Sequence, residues 1–105
     1  EQKKRIRNLI KQIDFNFSQD TDWDDFKHSF EKVHQEFFKK LNQTAHELTP
    51  GELKLASLMR MNLSSKEIAS TLGISQESLR ISRYRLRKKL KLEKGESLQQ
   101  FLLCI

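Results

Sequence analysis

Residues 48–92 read LTPGELKLASLMRMNLSSKEIASTLGISQESLRISRYRLRKKLKL, and their punctuation decides the fold. Thr49-Pro50-Gly51-Glu52 is a capping box. The threonine hydroxyl and the glutamate three residues on each satisfy a backbone N–H that a helix start leaves without a partner, and proline at the first helical position lacks that N–H. Leu48 and Leu53 flank the cap as a hydrophobic staple. Ser64-Ser65-Lys66-Glu67 repeats the box, with Leu63 and Ile68 as its staple. Ser75 caps a third helix between Ile74 and Leu79, although Ser78 stands where an acidic partner would complete the box. Gly73 suits the left-handed residue that ends the second helix, and Asn62 can take that conformation at the end of the first.

These signals predict three helices over 50–61, 65–72 and 76–91. The second is short, the turn Leu72-Gly73-Ile74-Ser75 is tight, and the third helix is long and basic. That is a helix-turn-helix pattern. At about 100° per residue, the third helix has two faces. With Arg80 at zero, Tyr84, Lys91, Arg87, Gln76 and Lys88 fall between about −40° and 80°, with Ile81 at about 100°. Leu79, Leu86 and Leu90 cluster on the other side, at about 240–280°. A leucine face for a core and a basic face with one aromatic suit the DNA major groove, which admits an α-helix and presents base edges to Arg, Gln and apolar side chains. The first two turns would place Gln76, Glu77, Arg80, Ile81 and Tyr84 on bases. Arg87, Lys88 and Lys91 would hold phosphates, as would Lys66 and the hydroxyls of Ser65 and Ser78. Arg85 and Lys89 fall off this arc and read as flanking or solvated charges.

The charge distribution agrees. Residues 1–47 carry nine Lys/Arg and nine Asp/Glu, whereas residues 48–105 carry eleven and five, which accounts for the whole net charge of +6. Ser78–Lys91 holds seven bases and no acid. Cations so crowded repel one another, and a polyanion relieves that repulsion, nucleic acid before acidic lipid.

Outside this stretch the chain still reads as helical, with only three Gly and one Pro among its 105 residues. Residues 2–13 put Ile6, Leu9, Ile10 and Ile13 on one stripe. Thr21 or Asp22 can cap a helix running to about Asn42, with Asp24 and Asp25 suited to the positive end of its dipole. Along it Trp23, Phe26, Phe30, Val33, Phe37 and Leu41 form an apolar seam, widened by Phe38, which reads as a core face rather than an intermolecular coiled coil. The tail from Ser97 to Cys104 makes a fourth short helix with Leu98, Phe101, Leu102 and Ile105 apolar. The expected architecture is therefore all-α: a helical arm over 1–47 and a four-helix unit over 48–105.

Other function classes find little support. The apolar run Phe101–Ile105 is five residues long, against about 20 for a helix that crosses a bilayer. Cys104 has no second cysteine to bridge, and with His28, His34 and His46 it makes no zinc-ligand spacing. No Ser, Cys or Lys has an evident partner base, and the acids of residues 22–25 are explained by the helix dipole. The sequence implies a binder without metal or cofactor. It opens on Glu1, as a segment of a longer protein would.

The stretch 48–92 resembles the LuxR/FixJ-type helix-turn-helix DNA-binding domain. The resemblance rests on Leu48-Thr49 with Glu52, on Ser65-Lys66-Glu67-Ile68-Ala69, on Leu72 with Ile74-Ser75, and on Lys89-Leu90 with Leu92. The run from Trp23 into RYRLRKKL looks like a Bacteroidetes variant, in which the domain often ends a longer regulator. The resemblance implies that helix 76–91 is the recognition helix, with bases met near Arg80, Ile81 and Tyr84 and phosphates by Lys66, Ser78 and Lys88. It also implies a homodimer on double-stranded DNA, paired through Leu98, Phe101 and Leu102 of the tail helix. The expected setting is cytoplasmic, at the end of a regulator whose sensor lies outside this chain, with RNA polymerase as a further partner. Asn62 stands where the family usually has glycine, and Ser82 where it often has histidine. Two rival readings share some features: a sigma-factor-like promoter-binding module, and a protein-interaction module that uses the aromatic seam.

Overall fold

The computed structural model describes residues 20–45 and 47–105, with side chains from Asp22 onward. Within the described residues six α-helices follow one another: α1 (Asp20–Val33), α2 (Phe37–Thr44), α3 (Pro50–Arg60), α4 (Ser65–Leu72), α5 (Gln76–Lys89) and α6 (Leu98–Cys104). Among the described residues there is no strand, so the fold is all-α. The helix expected over 2–13 lies outside the described residues, as does His46.

The starts of α3 to α6 are those the caps dictate, whereas Thr21 and Asp22, expected to cap α1, lie within it and α2 starts without a side-chain cap. Both capping boxes close: the Thr49 hydroxyl accepts from the Glu52 N–H at 3.1 Å while Glu52 Oε1 accepts from the Thr49 N–H at 2.8 Å. Ser64 and Glu67 repeat the exchange at 3.1 and 2.9 Å. Ser75 and Ser97 cap α5 and α6 with their hydroxyls alone.

The ends of α3, α4 and α5 share one device. Asn62 (φ 62°), Gly73 (φ 71°) and Lys91 (φ 58°) are left-handed. After each, an N–H reaches back five residues: Leu63 to the Leu58 carbonyl, Ile74 to Ala69 and Leu92 to Arg87. This closes the orphan carbonyls of a helix end. It also places the end of α5 at Lys89 and puts Lys91 beyond the helix, not on its basic face as the sequence suggested.

α3 organises the molecule. Its residues Leu55, Ala56, Ser57, Leu58 and Met59 are all buried, as befits a helix covered on more than one side. It packs against α4, α5 and α6, and α4 packs against α5. Ile68 of α4, Leu79 and Leu86 of α5, and Leu102 of α6 are fully enclosed around it. Each such side chain contributes about 1.5–3 kcal/mol by leaving water. The hydroxyl of the buried Ser57 is satisfied by the Lys54 carbonyl at 2.8 Å.

The single helix expected up to about Asn42 is two, broken by a turn at His34-Gln35-Glu36. Ring packing explains the break. In a straight helix Phe37 would stand about 10.5 Å along the axis from Phe30. The turn instead brings both Phe37 and Phe38 to about Phe30, at ring-centroid distances of 5.5 and 5.4 Å, while His34 stacks on Phe30 at 4.5 Å. The seam thus folds into a cluster. Phe26, Phe30, Phe37 and Leu41 are no more than 2% exposed and join the same core as α3–α6. Phe30, one of the seam positions on which an interaction surface would depend, is interior.

Candidate nucleic-acid interface

α5 is held along its length before it presents anything. Leu79, Leu86 and, just past its end, Leu90 bury its inner face. Near its middle, Arg83 Nη2 donates to the Ser65 hydroxyl at 2.8 Å and so ties α5 to the start of α4. Arg87 donates to the carbonyls of Glu93 and Glu96, fixing the loop that leads to α6. At the far end, Lys89 Nζ reaches the Glu47 carbonyl at 2.9 Å and Glu52 Oε1 at 2.8 Å. The same carboxylate oxygen closes the α3 cap, so one atom joins the start of α3 to the end of α5. Burial alone would push the Glu52 carboxyl up. The hydrogen bonds from Lys89 and from the Thr49 backbone, with the charge of Lys89, outweigh burial and hold it below its ordinary value.

Three of the seven bases in Ser78–Lys91 are therefore engaged in positioning the helix. Sequence reasoning missed these roles. Arg83 carried none, Lys89 read as a solvated charge, and Arg87, expected on phosphate, is half-buried under its loop. Ser65, expected to meet phosphate too, is part-buried and accepts from Arg83. No periodicity signals such bonds, because the partners of Lys89 lie 37 and 42 residues away.

What remains outward is coherent. Gln76, Glu77, Arg80, Ile81 and Tyr84 are all exposed, as are Ser78, Lys88 and, at the start of α4, Lys66. Arg80 and Glu77 form an ion pair with side chains 76% and 66% exposed, so the guanidinium is oriented but remains in solvent. Ile81 and Tyr84 are the large hydrophobic side chains most exposed among the described residues, at 44% and 58%. Lys88 Nζ lies over the Tyr84 ring, 4.9 Å from its centroid. One face of one helix thus carries a guanidinium, an amide, a carboxylate, an aliphatic group and an aromatic ring. Those are the groups that hydrogen-bond base edges and touch thymine methyls.

The tail helix departs from expectation. Leu98 is 5% exposed and Leu102 is fully buried, both in the chain's own core, and Phe101 is packed against it. The residues expected to pair two subunits are thus largely consumed in closing α6 onto α3. Two further bonds hold α6 there. Gln99 Nε2 donates to the Met59 carbonyl and to Asn62 Oδ1, at 3.0 and 3.1 Å. This gives Asn62, in place of glycine, a structural task.

Among the described residues no three His, Cys, Asp or Glu side chains converge on a metal position, and no helix is long and apolar enough to cross a membrane.

A short helix, a glycine turn and a longer helix with a polar and basic outer face, both packed on a third, define a helix-turn-helix DNA-binding module. Residues 46–101 match the family model described as bacterial regulatory proteins, luxR family, and the chain belongs to that family. It is a DNA-binding transcription regulator domain, and DNA is its partner. No curated protein and no solved structure matches the chain.

Proposed function

We propose that α5 enters the major groove of double-stranded DNA and reads it through Gln76, Glu77, Arg80, Ile81 and Tyr84. Lys66, Ser78 and Lys88 hold the flanking phosphates, and two copies of the chain bind as a homodimer on paired half-sites in the cytoplasm. The chain acts as a binder and catalyses nothing. One observation carries the reading: the bases of α5 divide into those spent inside the molecule and those left facing out, and the outward ones share their face with Ile81 and Tyr84. A merely electrostatic grip has no use for an isoleucine and a tyrosine among its cations. Arg80 fits guanine, whose two major-groove acceptors match a guanidinium fork, and Glu77 fits the amino group of a cytosine. With Leu98 and Leu102 in the core, pairing falls to the outer side of α6, where Gln100 and Cys104 are exposed and Phe101 is half-buried.

Selection of binding sites from a random duplex pool tests this, repeated with Arg80→Ala. A dyad-like motif is expected, and the variant should lose about 1–3 kcal/mol of discrimination at one base pair while folding normally. Binding without any motif would reduce the face to an electrostatic grip. A motif without a dyad, bound by one copy, would remove the homodimer and leave the groove reading standing.

A further inference from the structure

A groove of about 640 Å³ runs between the start of α3, the α4–α5 turn and one flank of α5. Its floor is apolar: Leu55 from α3, with Leu72 and Ile74 from the turn. Its rim is cationic, built from Lys54, Arg85, Lys88 and Lys89. Glu52 is the acid among the lining residues, and it is paired with Lys89 at 2.8 Å. Lys54 lies over the Trp23 ring and Lys88 over that of Tyr84, which orients both ammonium groups without neutralising them. Among the described residues, no carboxylate pairs with Lys54, Arg85 or Lys88.

The groove lies beside the face described above and shares only Lys88 with it. Taking about 100° per residue, Arg85, Lys89 and Ser82 lie roughly 140°, 180° and 200° round α5 from Arg80. They point to the flank when Arg80 and Tyr84 point at a duplex. Phosphate gains nothing from a leucine and isoleucine floor. An amphipathic helix fits both features, with apolar side chains on the floor and carboxylates against the rim. Residues 1–19 of this chain do not supply such a segment, because they carry five bases against two acids.

We propose that this groove docks an acidic amphipathic helix of a partner protein, its apolar residues on Leu55, Leu72 and Ile74 and its carboxylates on Lys54, Arg85 and Lys88. The proposal shares Lys88 with the DNA reading and does not otherwise rest on it.

The probe is a phage-displayed library of short random peptides, panned against the whole 105-residue chain. Enriched peptides should carry two or more Asp or Glu around apolar residues at helical spacing. A synthetic copy should shift the amide resonances of Leu72, Ile74 and Ser82. Its affinity should fall by about tenfold or more for Arg85→Glu, and further for Lys54→Glu with Arg85→Glu. Arg85 is exposed, so the single variant keeps the test readable if the double variant folds poorly. Enrichment without an acidic bias overturns the proposal, as does binding that Arg85→Glu leaves unchanged. A DNA duplex that shifts the floor amides of Leu72 and Ile74 while acidic peptides do not would assign the groove to nucleic acid, and would equally overturn it.

Discussion

Lys91 sits where glycine is the easier residue. Its φ of 58° places its Cβ against the following carbonyl, a conflict that costs an L-residue about 1–2 kcal/mol. Nothing in the structure shows its side chain holding the turn in return. Lys91→Gly is therefore expected to stabilise the chain by up to about 1 kcal/mol, less than the full strain because glycine also loosens the unfolded chain. Asn62 is the contrasting case. It shares the conformation, but its Oδ1 accepts from Gln99, so Asn62→Gly should exchange relief of strain for a lost hydrogen bond and leave stability nearly unchanged. Parallel urea melts of the two variants read the difference. Equal stabilisation by both would mean that the Gln99 bond contributes nothing. The conformation of Asn62 was legible because asparagine tolerates it. That of Lys91 was not, because lysine carries no such signal and the basic periodicity ran straight past it.

Elements were legible where short-range chemistry sets them. α3, α4 and α5 start where Thr49, Ser64 and Ser75 cap them, and α4 ends at its glycine. The α1–α2 break was illegible for a related reason. Val33, Phe37 and Leu41 continue the helical period across it, and what bends the chain is the three-dimensional demand of the Phe30 cluster. The α3–α5 latch was equally hidden, and it has its own test. The Glu52 carboxyl is held below its ordinary value of 4.5 when folded. The unfolded chain therefore binds its proton first, so the charge of Glu52 contributes stability above that ordinary value and loses it as pH falls through the lower folded one. Glu52→Gln keeps an acceptor for the capping box and removes only the charge. At neutral pH the variant should melt below the parent by about 1 kcal/mol, and the gap should close in strong acid, where both side chains are uncharged. A gap that persisted there would place the stabilisation in shape rather than charge.

At the scale of the whole molecule, two interactions tie the arm and the helix-turn-helix to one core. The cluster runs unbroken from Phe26 to Leu102, and Arg60 crosses it. Its Nη1 donates to the Leu102 and Leu103 carbonyls at 3.0 and 2.6 Å, its Nε reaches His34 Nδ1 at 3.5 Å, and its guanidinium lies over Phe37. A cation on the last carbonyls of α6 also suits the negative end of that helix. Arg60→Met keeps the apolar stem and removes the charge, and should cost about 1.5–3 kcal/mol with one cooperative transition retained. Separate melting of α1–α2 would show that the arm is an independent unit.

The division of charge over the molecule fixes what DNA binding should look like in salt. Each phosphate neutralised by the protein releases counterions, and log affinity falls with log salt by about 0.9 per contact. Were all seven bases of Ser78–Lys91 to meet phosphate, the slope would approach about −6 per copy. Arg83, Arg87 and Lys89 are already bound within the chain, however, and Arg80 is expected on a base. Lys66 and Lys88, with Lys91 at the edge, leave a slope of about −2 to −3 per copy. A titration of affinity against potassium chloride on a single half-site measures it. A slope near the larger value would mean that the internal bonds of Arg83, Arg87 and Lys89 give way on DNA, and that α5 is held less firmly than its contacts indicate.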